Sequence, residues 1–229
     1  MYLAIPWSRA HPIRRASCLH FPTRVTRVTA IACSFTTGQT NCSSIPLTCV
    51  LKPLHEAAGI ARVRLSTYQA RSGAGAESMA RLRAQDPAEG NLEADWEFDG
   101  EEFDEETKIR DESRKILEMP ELPISATCVR VPVMVGHAES IWIETVESLT
   151  PEQAEGLLAE APSVRLVGFP NPLEAAGADE VLVGRIRPDR AADGNGLTLF
   201  LACDNLRKGA ALNAIQIAQI VLAARAVAA

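Results

Sequence analysis

No glycine-rich phosphate-binding fingerprint of the G-x-G-x-x-G type stands anywhere in these 229 residues, so no segment opens like the pyrophosphate cradle of a dinucleotide-binding βαβ unit. C-x-x-C pairs are also missing. The six cysteines, at 18, 33, 42, 49, 128 and 203, show no His/Cys metal spacing and no small disulfide-rich context. Reduced thiols in a cytoplasmic protein are expected, with no metal site. Positive charge is not in excess: a formal net charge of −6 argues against nucleic acid or an anionic membrane as partner. Acidic residues are absent from the first 36 positions, which hold five arginines and two histidines. An Arg-rich, acid-free start resembles an organelle transit peptide, but Pro6, Pro12 and Pro22 interrupt its helix, and no secretory apolar core is present. Residues 1–36 therefore read as a divergent leader foreign to the rest, as a shifted frame or misplaced start would produce. The long apolar segment 206–227 contains Arg207, Lys208, Asn213, Gln216, Gln219 and Arg225, each costly in lipid. A helix buried between layers or against a partner is expected there, with no membrane span.

What is present, 47% hydrophobic and 23% charged residues, is the composition of one soluble globular domain, placed at 37–229. Ser44 is a candidate helix cap, with Pro46 in the first turn, Leu47, Val50, Leu51 and Leu54 at helical spacing, and Gly59 as the stop. Strands are expected at 61–68, 124–135, 140–146, 164–167, 180–187 and 197–202, and helices at 105–117 and from Pro151 onward. The run 86–106 holds eleven acidic residues and no basic one, a pattern of solvated loop and helix start. The fold class is α/β (α+β), a mixed, largely antiparallel sheet covered by helices.

Cys42 lies just before the first helix, and the run from Cys128 to His137 carries Arg130. A thiol, a base and an anion clamp are the parts of nucleophilic acyl chemistry. An unperturbed thiol is only ~3% ionised at pH 7, and a helix N-terminus with a nearby histidine would raise that fraction. Asn41 and the amides around Ser43 are candidate oxyanion donors. Each residue also has a plainer reading. Cys42 fits an inert buried hydrophobe, His137 a structural histidine, and Arg130 the partner of a buried carboxylate. Cys128 is the rival nucleophile, though without a helix dipole. Arg130 and His137 are seven apart, so on one straight strand they would face opposite sides, and a bulge or a bend at Gly136 is needed to unite them.

The stretches NCSSIPL, LKPLHEAAGI, STYQARSGAG, EETK, ESRKIL, SATCVRVPVMVGHAES, PLEAAGADEVLVGRIR and DNLRKGAALNAIQIA, in that order, resemble the catalytic and C-terminal part of the aspartate-semialdehyde dehydrogenase family. The resemblance implies a glyceraldehyde-3-phosphate dehydrogenase-type catalytic domain, NADP as cofactor and a homodimer. The implied reaction interconverts L-aspartate 4-semialdehyde plus phosphate and 4-aspartyl phosphate, in lysine, threonine and methionine biosynthesis. It further implies Cys42 as nucleophile, His137 as acid/base and Gln69 as the group that orients the acyl intermediate. Arg130 is implied for the substrate carboxylate, Glu105 for its amino group and Lys108 for phosphate, while Ser72, Gly73, Asn205 and Asn213 are implied as cofactor contacts. The family's glycine-rich nucleotide domain has no counterpart here, so the expectation is a chain without turnover by itself, or one served by a separate nucleotide-binding chain. The alternative from another class is a catalytically silent dimerising module. A Cys/His hydrolase explains Cys42 and His137 but leaves Arg130 and Lys108 unused.

Overall fold

The computed structural model describes residues 40–228. The expected leader at 1–36 lies outside the described residues. Helix α1 (Ser44–Ala58) leads through Gly59, at φ +64°, into strand β1 (Ile60–Gln69). A tight turn at Arg71–Ala74, helix α2 (Ala76–Arg83) and an irregular acidic stretch follow before helix α3 (Asp104–Leu117). Then come β2 (Ile124–Arg130), β3 (His137–Thr145), α4 (Pro151–Ala159), β4 (Val164–Leu166), the single turn α5 (Pro172–Ala175), β5 (Val181–Pro188) and β6 (Gly196–Cys203). A π-type turn, Arg207–Ala211, opens the last helix, α6 (Leu212–Ala228).

The six strands form one sheet in the order β2-β1-β3-β6-β5-β4. β2 pairs with β1, and β4 with β5, in parallel; the three central pairings are antiparallel. This is the mixed, largely antiparallel sheet expected from sequence. Alternation decides its two faces. Val63, Leu65, Ile141, Ile143, Leu197, Leu199, Leu201, Val181 and Val183 point inward and join Leu47, Val50, Leu51 and Leu54 of α1 and Ile109 of α3 in one buried core. The same alternation sends Tyr68, Ser140, Trp142 and Phe200 to the other face, where all four stay half-buried.

Four local expectations need correction. Ser44 does not cap α1: the Asn41 side-chain oxygen accepts from the backbone N–H of Ser43 at 2.7 Å and of Ser44 at 3.4 Å. Asn41 sits outside the apolar period of the helix, whereas Ser44 adjoins it, which is why the sequence pattern favours the hydroxyl. The expected strand 124–135 ends at Arg130, because Pro132 lacks the ladder donor and residues 131–136 turn toward β3. The acidic run is not wholly solvated, since Glu89, Glu105 and Glu106 are buried. Glu89 takes Arg71 at 3.0 Å, Arg81 at 2.7 Å and the Ser78 hydroxyl at 2.8 Å, and Arg71 also pairs with Glu93. Helix α6 is not sandwiched between layers in the described chain: Ile215, Val221 and Leu222 are exposed. No described helix is long and apolar enough to cross a membrane.

The corner at Gly136 joins β2 to β3 at φ +99°, and a β-carbon there would stand 2.6 Å from the Pro172 carbonyl oxygen. Gly136→Ala combines a left-handed conformation with a backbone clash and should destabilise the fold by about 2 kcal/mol or more. A urea midpoint equal to that of the parent would refute this.

Candidate active site

The register places four side chains in a row across the end of the sheet. Gln69, the last residue of β1, pairs with Arg130, the last of β2. Tyr68 pairs with Ala138, which sets Gln69 beside His137, and His137 in turn pairs with Cys203. Arg130, Gln69, His137 and Cys203 thus project from four adjacent strands on the helix-covered face, each no more than 3% exposed. Arg130 and His137 sit on different strands, so their spacing of seven sets no opposition of faces, and the bend at Gly136 brings them together.

Cys42, in the turn before α1, meets this row. Its Sγ lies 3.2 Å from His137 Nε2. The Ala70 backbone N–H donates to His137 Nδ1 at 2.9 Å, so Nδ1 holds a lone pair and the ring proton resides on Nε2, facing sulfur. Burial and the Arg130 charge push the imidazole down to about 3. Burial and the Glu105 carboxylate push the Cys42 thiol up to about 12, against the opposing pull of Arg130. This reverses the expectation of an activated thiolate: desolvation and a nearby anion outweigh the helix N-terminus. At rest the pair is a neutral thiol beside a neutral imidazole. Cys128 is raised too, chiefly by burial, and its backbone N–H donates to Glu106 within the core. Two residues beyond His137, Glu139 is fully buried, neither carboxylate oxygen has a partner among the described residues, and burial holds its pKa well above the usual range.

Around the pair, Gln69 is fully engaged: its Nε2 donates to Glu105 at 2.8 Å, and its Oε1 accepts from Arg130 Nη1 at 3.3 Å. The amides of Ser43 and Ser44 are taken by Asn41 Oδ1, so they are not free oxyanion donors, and the Asn41 N–H donates to Glu112 at 2.7 Å. Lys108 stands one turn from Glu105 on α3, half exposed and paired with Asp104 at 2.6 Å. Ser72 and Asn205 hydrogen-bond each other, and Asn205 Oδ1 accepts from Gly136 N–H at 2.9 Å. Their side chains therefore lock the turn, β6 and the Gly136 corner together. A β-carbon at Gly73 would stand 2.7 Å from Arg130 Nη1 and 3.3 Å from His137 Nε2. Asn213 is buried in the first turn of α6.

Three neighbours escaped sequence reasoning. Gly209, in the π-type turn, comes so close to Cys42 that a β-carbon there would lie 3.1 Å from Cys42 Cβ. Asp95 pairs with Arg130 at 2.9 Å, and the Trp96 ring lies 4.5 Å from the guanidinium carbon. All three sit in stretches whose composition reads as helix interior or solvated loop.

A family profile described as semialdehyde dehydrogenase, dimerisation domain, matches residues 51–208. The chain belongs to that family. Among curated relatives, the aspartate-semialdehyde dehydrogenase of Corynebacterium melassecola is 44% identical over 214 residues, covering 80% of this chain and 62% of its own length. The chain thus spans under two thirds of the relatives it matches. Among solved structures, aspartate semialdehyde dehydrogenase II of Vibrio cholerae complexed with ASA superposes with a TM-score of 0.75 at 36% identity, over 80% of this chain and 61% of that one. The enzyme of Candida albicans with NADP gives 0.64 at 26% identity, over 86% of this chain and 64% of that one. The semialdehyde dehydrogenase family relation agrees with the glyceraldehyde-3-phosphate dehydrogenase-like sheet and helices expected from sequence.

The site electrostatics set a test. Alkylation of Cys42 by iodoacetamide, followed at its own peptide by mass spectrometry, should keep accelerating through pH 10 without a plateau near the ordinary thiol range. Glu105→Gln removes the second-largest cause of the upward shift and should speed the reaction at pH 9 by about threefold or more. A plateau near pH 8.5 in the parent would refute the desolvated-thiol assignment.

Proposed function

We propose that this chain carries the chemistry of an aspartate-semialdehyde dehydrogenase, interconverting L-aspartate 4-semialdehyde plus phosphate and 4-aspartyl phosphate with NADP. The observation that carries the reading is the Cys42 Sγ to His137 Nε2 approach of 3.2 Å at the end of a buried row holding Gln69 and Arg130. The likeness to a Vibrio cholerae enzyme complexed with ASA supports the same substrate class.

Sulfur bonds to the aldehyde carbon, and the thiol proton passes to the carbonyl oxygen, forming a hemithioacetal. His137 Nε2–H is placed to donate first to sulfur and then to that oxygen as charge develops on each, with the Ala70 N–H holding the ring in the required tautomer. A nicotinamide cofactor would supply the acceptor for the hydride of the hemithioacetal carbon, and the hydroxyl proton would leave to water as the thioester carbonyl forms. The residues here fit the reacting end of such a cofactor: Gly73 is exposed, and for want of a side chain its backbone stands directly against Arg130 and His137. The Ser72–Gly73 turn and Asn213 would hold it. A phosphate oxygen then displaces the Cys42 sulfur from the resulting thioester, releasing acyl phosphate and restoring the thiol. Arg130 suits the planar substrate carboxylate, Glu105 the substrate ammonium and Lys108 a phosphate oxygen.

The resting thiol near 12 is the observation that favours the second reading, a silent dimerising module. Incubation with 4-aspartyl phosphate separates the two, because this half of the reaction needs no nucleotide. The parent chain should gain an aspartyl thioester on Cys42, visible by intact mass and absent from Cys42→Ala. An unmodified parent chain would overturn the enzymatic reading.

We further propose a homodimer through the sheet face opposite the helices. That face carries half-buried Tyr68, Trp142 and Phe200, and Phe169, which is 60% exposed, stacks on Phe200 at 5.7 Å. The family profile describes a dimerisation domain. Sedimentation should give twice the 24.7 kDa chain mass, and Trp142→Arg should return the single-chain mass. A parent chain sedimenting as a monomer would refute the proposal.

A further inference from the structure

Arg130 is 3% exposed, and a guanidinium so buried needs a counter-charge. The chain supplies one from an unexpected place. Residues 91–103 carry no helix, yet Glu93 makes an antiparallel bridge to the Arg130 backbone, through N–H···O contacts of 2.7 and 3.2 Å. That bridge brings Asp95 against the guanidinium edge, where one carboxylate oxygen, Oδ1, takes both Nη2 at 2.9 Å and Nε at 3.3 Å. Trp96 covers the guanidinium face. The remaining Arg130 contacts, Nη1 to Gln69 Oε1 at 3.3 Å and to the Ala70 carbonyl at 3.4 Å, are long.

We infer that Asp95 is an internal competitor for Arg130, which a substrate carboxylate must displace, and so a specificity-determining residue of this site. The inference rests on the reading of Arg130 as the carboxylate-binding group. Asp95 holds the guanidinium through one oxygen, whereas an incoming carboxylate can use two in parallel, the stronger arrangement. The Asp95 side chain is 28% exposed while that of Arg130 is 4% exposed, so the displaced carboxylate has water to return to and the arginine has nowhere else to go. Among the described residues, Asp95 makes no other side-chain hydrogen bond that would hold it in place. Exchanging one carboxylate for another gains little, so acetate or another simple anion is poorly retained. A ligand that also engages Glu105 and Cys42 gains on each contact and completes the exchange. Asp95 thereby penalises anions that carry a carboxylate and nothing more.

Iodoacetate and iodoacetamide differ in the carboxylate and react at the same sulfur, so the ratio of their rates at the Cys42 peptide reads carboxylate access to Arg130. In the full 229-residue chain at pH 9, Asp95→Asn should raise that ratio about fivefold. Glu101→Gln, which removes the same charge from an exposed position of the same segment, should leave it unchanged. Asp95→Ala is run in parallel, each variant being checked for native circular dichroism. Arg130→Gln should lower the ratio and abolish the effect of Asp95→Asn. If Arg130→Gln leaves the ratio unchanged, the reading of Arg130 as a carboxylate site fails and the inference with it. If Arg130 matters but the Asp95 variants leave the ratio unchanged or lower it, the inference alone is overturned. An equal rise in Glu101→Gln reduces the effect to net charge and overturns it as well.

Discussion

The candidate site depends on the pairing of three strand ends. Because Gln69 lies opposite Arg130 and Tyr68 opposite Ala138, Arg130, Gln69 and His137 stand side by side on one face of the sheet. A slip of one residue in either pairing would turn a side chain of this row to the other face. Core packing fixes the register: Leu65 pairs with Ile141 and Val63 with Ile143, all nearly inaccessible to water, so a slip would expose the whole apolar set. The hydrophobic core thus specifies the chemistry at a distance.

The same burial that fixes the geometry governs the charges. His137 is neutral and Cys42 protonated because their surroundings exclude water, and the Ala70 N–H leaves the imidazole only one proton to offer. Arg130 and Glu105 bring opposite charges to the row, and Gln69 contacts both. Such a site does not hold a permanently ionised nucleophile; its reactivity must be raised by what enters it. A ligand whose ammonium neutralised Glu105 would remove one of the charges that hold the thiol up. Binding of such a ligand and activation of the thiol would be linked through one carboxylate.

Much of this was legible in the sequence. The alternation of Val63, Leu65, Ile141 and Ile143 gives strands and faces, Gly59 stops α1, and the runs around Cys42, Gln69, Arg130 and His137 carry the family resemblance. Strand ends came out less well where a proline or a polar residue decides the boundary: Pro132 ends β2 earlier than the apolar pattern 131–135 indicates. Asp95 and Trp96 were hidden for a different reason. Their role comes from one non-local bridge, Glu93 with Arg130, between segments 37 residues apart, and neither propensity nor period records such a pairing. The state of the thiol is not legible in sequence, because the helix N-terminus is visible there, whereas burial and the approach of Glu105 are properties of the folded chain.

Asn205 shows how closely support and site are joined. Its side chain accepts from Gly136 N–H and exchanges hydrogen bonds with Ser72, so one buried amide ties β6, the β2–β3 corner and the Arg71–Ala74 turn. Beside it, Asp204 accepts from Leu206 and Arg207 N–H and shapes the turn that carries Gly209 over Cys42. A polar group so fully used inside the fold has little left to offer a ligand, and its removal would orphan partners in three segments at once. The resemblance assigns Asn205 to cofactor contact. The geometry gives it a positioning role besides, since its hydrogen bonds hold the Arg71–Ala74 turn and the Gly136 corner against each other.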